Sequence, residues 1–229
     1  MRRRAIKNTI QRVSERVFQD RREAGRVLAE LVAEVPDLQD GVVLGLVRGG
    51  VPVAFEVAKA CKLPLDILVV RKLGAPGAEE LAMGAIASGG AIVFNDDVLR
   101  RFHVSPKKLE QVIEREKQEL DWRENLYREG RAPVEIDGRT AILVDDGLAT
   151  GASMRAAIRA VNGRARRVIV AVPVGARSTC TELAHDADHV ICALIPEPLD
   201  AVSLFYREFG PTSDDEVKTL LRQGLVIQG

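Results

Sequence analysis

One segment constrains the fold of this chain more than any other: residues 142–153, with the sequence ILVDDGLATGAS. Its apolar start predicts a buried strand that ends at two carboxylates, Asp145 and Asp146. Small residues and two hydroxyl groups follow, and residues 154–161 have the apolar spacing of a helix. A small-residue loop in front of a helix lets backbone N–H groups surround a phosphate at the positive end of the helix dipole.

The two carboxylates beside this loop indicate a second kind of ligand. Because like charges repel, Asp145 and Asp146 do not suit a phosphate, whereas they do suit hydroxyl groups or a cation. A phosphate cradle next to paired carboxylates fits a sugar phosphate, which is anionic at one end and a diol at the other. The alternative is an ordinary strand followed by a helix with a Ser or Thr cap, but a cap does not require two adjacent carboxylates.

The segment resembles the motif with which type I phosphoribosyltransferases bind phosphoribosyl pyrophosphate (PRPP): hydrophobic residues, two acidic residues and a Thr-Gly loop. The resemblance implies that the acidic pair holds the ribose 2′ and 3′ hydroxyls and that the loop holds the 5′-phosphate. The implied PRPP-binding residues are Asp145, Asp146, Gly147, Leu148, Ala149, Thr150, Gly151, Ala152 and Ser153. It also implies Mg²⁺ as cofactor, which Asp145 and Asp146 contact indirectly, through ribose hydroxyls and water.

The order of predicted elements indicates a doubly wound α/β fold. The predicted strands are 42–46, 65–70, 91–94, 142–144, 168–172 and 189–193, and the predicted helices are 18–35, 52–61, 106–128, 154–161 and 178–184. Aliphatic strands that alternate with helices predict a mainly parallel sheet with helices on both faces, which binds ligands at the carboxyl ends of its strands. The resemblance adds a small hood over these ends. We expect one phosphoribosyltransferase domain over residues 1–229, with a core of about 36–195 and a hood from 1–35 and 196–229.

Composition excludes several classes of function. The 33 basic residues balance 33 acidic ones and aromatic residues are only 4%, so we expect no extended nucleic-acid surface. No apolar run is long enough for a membrane span, and the basic residues 1–12 lack the apolar stretch of a secretory signal. The isolated Cys61, Cys180 and Cys192 are expected to be thiols in a reducing compartment, which predicts a cytoplasmic protein.

A second strand end, after residues 42–46, carries Val47, Arg48, Gly49 and Gly50. A cation flanked by glycines at a strand-to-helix turn suits an oxyanion, although by itself the pattern fits an ordinary Gly-Gly turn equally well. Beside the first motif it resembles the pyrophosphate loop of the same family. That loop often contains a non-proline cis peptide, which we expect near Val47 and Arg48.

A third strand, residues 65–70, ends at Arg71 and Lys72. Converging cations suit pyrophosphate, and the alternative is a solvated basic pair at the start of a loop. Residues 74–90 match the position of the family's mobile catalytic lid, and they contain Glu79 and Glu80 but no Lys or Arg, unlike the lid of the orotate enzymes. The candidate catalytic residues are therefore Arg48, Lys72, Glu79 and Glu80.

Two features bear on the acceptor. Enzymes for six-oxopurines usually have an aspartate where this chain has Ala149 and a lysine where it has Ala152, so hypoxanthine or guanine is not indicated. Phe205 and Tyr206 follow the last predicted strand, and in the family an aromatic side chain of the hood often contacts the acceptor base. The alternative for both rings is a place in the core.

The predicted function is transfer of the 5-phosphoribosyl group from PRPP to a small nitrogenous acceptor, expected to be a nucleobase, with release of pyrophosphate. The alternative is a PRPP-sensing regulator with the same fold and no catalysis. Such a regulator usually needs a DNA-binding appendage, for which the basic first 17 residues are too short. The long amphipathic helix 106–128 suits a homodimer interface.

Overall fold

The computed structural model describes residues 17–226. The part of the predicted hood that falls on residues 1–16, and the expectation about a secretory signal, lie outside this range. The helices and strands are α1 (Arg21–Ala33), β1 (Gly41–Leu46), α2 (Gly50–Cys61), β2 (Leu65–Leu68), β3 (Val70–Ala75), β4 (Ala78–Ala87), β5 (Ala91–Phe94), α3 (Asp96–Arg101), α4 (Pro106–Arg128), β6 (Thr140–Val144), α5 (Ala152–Val161), β7 (Arg167–Val174), α6 (Arg177–Leu183), β8 (His189–Leu194) and α7 (Asp214–Val226).

The centre of the molecule is a five-stranded sheet in the order β2-β1-β6-β7-β8, in which every neighbouring pair is parallel. The chain runs from β1 outward to β2, then returns to the middle and runs outward through β6, β7 and β8. The strand order therefore reverses between β1 and β6, and the carboxyl ends of these two strands form the switch point at which such sheets bind ligands. The predicted doubly wound α/β fold is confirmed.

Helices cover both faces of this sheet because successive side chains of each strand point to opposite sides. Val43 and Ile142 face a core formed with α1, α2 and α7, whereas Leu44 and Leu143 face a second core formed with α5 and α6. All four side chains are buried. Strands that are apolar on both faces explain why the sequence shows continuous aliphatic runs rather than alternation.

The chain between β2 and α3 differs from the prediction. The predicted strand 65–70 is interrupted at Val69, where β2 ends and β3 leaves to form a separate antiparallel sheet in the order β3-β4-β5. Most of the glycine-containing segment 74–90 is the long strand β4. Its residues from Met83 to Ala87 are all buried, so the alternation that marks a half-exposed strand is missing from the sequence.

Two predicted helix boundaries have a clear physical origin. Helix α4 begins after Ser105, whose hydroxyl accepts the Lys108 N–H, and Pro106 occupies the first helical position. It ends where Glu129 adopts a left-handed conformation with φ 51°. Helices α3 and α7 were not predicted. Among residues 17–226, no helix is long and apolar enough to cross a bilayer.

Two segments that are far apart in the sequence meet above the switch point. The N–H of Phe18 donates to the carbonyl of Phe205, and the N–H of Arg207 donates to the carbonyl of Phe18. These bonds bring the start of α1 beside residues 205–210, over the ends of the central strands. Helix α7 instead packs against α2, α4 and β2, on one face of the sheet.

Candidate active site

The loops after β1 and β6 lie side by side because the two strands are neighbours in register, with Gly45 opposite Val144. The first loop contains Arg48, Gly49 and Gly50, and the second begins with the acidic pair. The contacts are so close that a Cβ on Gly49 would overlap the carboxylate of Asp146, and one on Gly50 would lie 2.9 Å from Cα of Asp145. Glycine is required here for close approach, whatever the backbone conformation.

The acidic pair is partly buried, and its surroundings raise the pKa of both carboxyl groups. The Asp145 carboxylate accepts the N–H of Asp146 at 2.9 Å. Burial, and then the charge of Asp146, raise the pKa of Asp145 well above its ordinary value. Burial also raises the pKa of Asp146, against the opposing effect of Arg21. Two carboxylates held this close suit donors such as sugar hydroxyls, which relieve their repulsion without adding negative charge.

Arg21, the first residue of α1, is the cation that pairs with Asp146. Its Nε lies 2.8 Å from Oδ2 of Asp146, and its Nη1 donates to the carbonyl of Gly210 at 2.7 Å. The guanidinium carbon lies 3.9 Å from the centre of the Phe209 ring, which is the geometry of a cation–π contact. The sequence motifs did not indicate Arg21, since it lies 125 residues from its partner.

Tyr206 supports the acidic pair from the other side. Its hydroxyl donates to the backbone carbonyl of Asp146 at 2.6 Å. Its ring is buried and lies 5.7 Å from the ring of Phe18 and 4.8 Å from that of Phe209. Burial raises the pKa of Tyr206, so the phenol stays a donor at every physiological pH. Phe205 precedes it and is half-buried, and the predicted contact of both rings with an acceptor stays a prediction.

The loop from Gly147 to Ser153 has the form of an anion cradle. Among the described residues, the N–H groups of Ala149, Thr150 and Gly151 have no hydrogen-bond acceptor. Gly151 adopts φ 72°, which turns the chain into α5, and Ser153 is exposed in the first turn of that helix. These unpaired N–H groups at the start of a helix can bind a phosphate.

Two backbone carbonyl groups of the same loop accept hydrogen bonds from side chains of the protein. Thr179 Oγ1 donates to the carbonyl of Ala149 at 2.6 Å, and Arg155 donates to that of Thr150 at 2.6 Å. The Leu148 N–H donates to the carbonyl of Val174, and Val202 fills the space in front of Gly147. The loop is therefore held in shape before any ligand binds.

Arg48 lies in the first loop, between β1 and α2. The peptide bond between Val47 and Arg48 is cis, as the resemblance led us to expect. The Arg48 side chain is 43% exposed, and its Nη1 lies 3.5 Å from Oδ1 of Asp214. The Tyr127 hydroxyl donates to the same oxygen at 2.7 Å, and burial together with Asp214 raises the pKa of Tyr127 to about 12.

The other predicted residues lie on the antiparallel sheet. Arg71, in β3, donates through Nε and Nη2 to the buried carboxylate of Glu116 at 3.0 and 2.7 Å. Lys72 follows it and is exposed. Glu79 and Glu80 lie near the start of β4, just after the turn between β3 and β4. Among the described residues, no three His, Cys, Asp or Glu side chains are grouped closely enough to hold a metal ion by themselves.

Comparisons with known proteins agree with this geometry. A family model described as "Phosphoribosyl transferase domain" matches residues 16–203. Proteins from two strains of Mycobacterium tuberculosis, each named "putative phosphoribosyl transferase", are 46% identical over 207 residues, which are 90% of this chain and 46% of theirs. The chain thus spans about half the length of these relatives. The crystal structure of TT1426 from Thermus thermophilus is 42% identical, has a TM-score of 0.78, and matches 91% of this chain and 99% of that one.

The first prediction concerns the contact between the two loops. Gly49 has an ordinary helical conformation, with φ −59°, so Gly49→Ala introduces no backbone strain. Its new methyl group would nevertheless push the Asp146 carboxylate away. We expect the free energy of unfolding to fall by about 1–3 kcal/mol, as for other overpacked sites, when measured by denaturant titration. The control is Gly210→Ala, where nothing lies within 4 Å of the added carbon. Equal stability of the two variants would contradict the close approach.

The second prediction concerns the charge of Asp145. Its pKa is higher in the folded chain than in the unfolded chain, so the folded chain binds the proton more tightly. The free energy of unfolding therefore falls as pH rises from the unfolded pKa through the folded pKa. Asp145→Asn removes this loss. We expect its melting temperature at about pH 8, in metal-free buffer, to exceed that of the wild type by at least about 2 °C.

The same comparison at lower pH is the control. At about pH 4, near the ordinary pKa of an aspartate, little of this loss has accumulated, so the difference in melting temperature should shrink. Circular dichroism melts at several pH values measure this trend. A variant that melts at or below the wild-type temperature across the whole range would show that Asp145 does not destabilise the free protein.

Proposed function

The chain belongs to the phosphoribosyl transferase family, and we propose that it transfers the 5-phosphoribosyl group of PRPP to a small nitrogenous acceptor, with release of pyrophosphate. The observation that carries this proposal is the acidic pair, Asp145 and Asp146, beside the loops that follow β1 and β6 at the switch point of the sheet. A ligand that fits this arrangement has a diol between two phosphate groups.

Each part of PRPP has a matching part of the site in this proposal. The ribose hydroxyls donate to the acidic pair, and the N–H groups from Ala149 to Gly151 bind the 5′-phosphate, with Thr150 and Ser153 as additional donors. The pyrophosphate lies at the loop of Val47, Arg48, Gly49 and Gly50. Arg71, Lys72, Glu79 and Glu80 stay further candidates there, and Phe205 and Tyr206 stay candidates for the acceptor side.

The proposed reaction is a displacement at C1 of the ribose. The bond between C1 and the pyrophosphate oxygen loosens, and its electron pair leaves with the pyrophosphate. A lone pair of the acceptor nitrogen then forms the new bond to C1 from the opposite face. No nucleophile of the protein is required, so catalysis rests on positioning and on stabilising the charge of the leaving group. Arg48, whose side chain is 43% exposed, is our candidate for that task.

The acidic pair fits the Mg²⁺ ion that the family implies. Carboxylate oxygens are suitable ligands for this ion, but two of them are too few to hold it alone. The pair therefore suits an ion that takes most of its ligands from the substrate and from water. When bound, the ion would neutralise charge on the pyrophosphate. We also propose a cytoplasmic location, because the described cysteines are free thiols, and a homodimer, which the amphipathic α4 suits.

The experiment that tests the function is ³¹P NMR of PRPP with Mg²⁺ and purified protein, in the presence of a panel of purine, pyrimidine and other nitrogen acceptors. Pyrophosphate that appears with one acceptor, and not without it, would establish the transferase and its acceptor class. PRPP that is bound but never consumed by any member of the panel would contradict the transferase and favour the PRPP-sensing regulator.

The third prediction is that Asp146→Asn lowers PRPP turnover by on the order of a hundredfold, because one preorganised charged group next to the ribose is lost. The amide keeps the size of the side chain, so the fold should be retained. The measurement is the rate of pyrophosphate release at saturating acceptor. Asp97→Asn is the control, since that side chain is 92% exposed on α3. Unchanged turnover in Asp146→Asn would contradict the proposed role of the acidic pair.

A further inference from the structure

Arg21 lies at the junction of the two loops. Its Nε is 2.8 Å from the Asp146 carboxylate, and it is also 3.5 Å from the point that a Cβ on Gly49 would occupy. The guanidinium thus borders both the acidic pair and the loop that carries Arg48. A cation at this position is adjacent to both the proposed ribose site and the proposed pyrophosphate site.

The guanidinium is held in one orientation. Nε donates to Asp146, Nη1 donates to the carbonyl of Gly210, and the ring of Phe209 covers one face. The third nitrogen, Nη2, has no hydrogen-bond acceptor among residues 17–226. The side chain is only 12% exposed, so a cation with one unused donor is fixed at the edge of the site. Such preorganisation suits the binding of an anionic oxygen.

The neighbouring arginines are less suited to this place. Arg71 uses both Nε and Nη2 to donate to the buried Glu116, which holds its guanidinium against α4. Arg48 is available, because its pair with Asp214 is long and the side chain is largely exposed. A pyrophosphate group carries several negative charges, so a second fixed cation beside Arg48 would suit it.

We propose that Arg21 is a second cation of the pyrophosphate site, which binds an oxygen of the leaving group directly. This inference rests on the proposed function. In PRPP the pyrophosphate is on C1 and the neighbouring hydroxyl is on C2, so a carboxylate that holds this hydroxyl lies close to the first phosphate. Arg21, bonded to that carboxylate, lies within reach of the same phosphate through Nη2. It therefore stabilises the negative charge that develops as the C1–O bond breaks.

The alternative role is that Arg21 only positions Asp146. The two roles differ in which part of the substrate they affect. A contact with the leaving group affects the binding of pyrophosphate and leaves the binding of ribose 5-phosphate nearly unchanged. A role in holding Asp146 affects the diol, and so weakens ribose 5-phosphate while leaving pyrophosphate unchanged.

The fourth prediction is that Arg21→Gln weakens the binding of inorganic pyrophosphate by on the order of tenfold or more, which is the usual effect of losing a charged hydrogen bond. Ribose 5-phosphate should bind within about twofold of the wild type. Isothermal titration calorimetry with each ligand, in the presence of Mg²⁺, measures both affinities for the full chain. The matched control is Arg22→Gln, the next residue of α1, whose partner is Glu56.

A second variant tests the proposed contact of Arg21 with pyrophosphate without removing its ion pair with Asp146. Phe209→Leu leaves Arg21 and Asp146 intact but removes the ring that holds the guanidinium. It should weaken pyrophosphate binding more than ribose 5-phosphate binding, and it also provides the test if Arg21→Gln does not fold. Circular dichroism melts establish that each variant is folded.

The outcomes are distinct. Weaker pyrophosphate binding in both variants, with ribose 5-phosphate and Arg22→Gln unchanged, supports the inference. Wild-type pyrophosphate affinity in a folded Arg21→Gln, or a loss confined to ribose 5-phosphate, overturns it while leaving the proposed function intact. If the wild-type protein neither binds pyrophosphate nor consumes PRPP, the proposed function fails, and this inference fails with it.

Discussion

The repulsion between Asp145 and Asp146 is the constraint on which the rest of the site depends. Two adjacent carboxylates that are partly removed from water are unfavourable unless donors and cations compensate them. In the free protein that compensation comes from the Asp146 N–H for one carboxylate and from Arg21 for the other. The Tyr206 hydroxyl adds a bond to the backbone carbonyl of Asp146. These groups reduce the repulsion within the pair before any ligand binds.

This compensation explains why the start of α1 and the segment after the last strand meet over the strand ends. Arg21 comes from the start of the first helix, whereas its supports, Phe209 and the carbonyl of Gly210, come from the segment after the last strand. The backbone bonds between Phe18 and the segment around Tyr206 fix these two pieces together. These two segments therefore supply the charge and the packing that compensate the acidic pair.

The parts of the site that are formed by consecutive residues could be predicted from the sequence. A strand, an acidic pair and a small-residue loop are consecutive in the chain, so the end of β6 was expected where the structure has it, and the family resemblance predicted the cis peptide at Arg48. Arg21 and the pair of Tyr127 with Asp214 were not predicted, since each contact joins residues that are far apart in sequence. Strand β4 was missed because burial on both faces removes the alternation that would reveal it. The roles of the site residues themselves stay predictions.

In the free protein both cations of the site are already paired with carboxylates, and this affects how an anionic substrate would bind. Arg21 faces Asp146 and Arg48 faces Asp214, so each cation has an acidic partner before any ligand binds. The first pair is short and largely buried, whereas the second is long and exposed. On the proposed function, phosphate oxygens would displace Asp214 from Arg48 easily, because an exposed ion pair contributes little. The tighter pair of Arg21 and Asp146 would persist and keep the diol site charged while the leaving group departs.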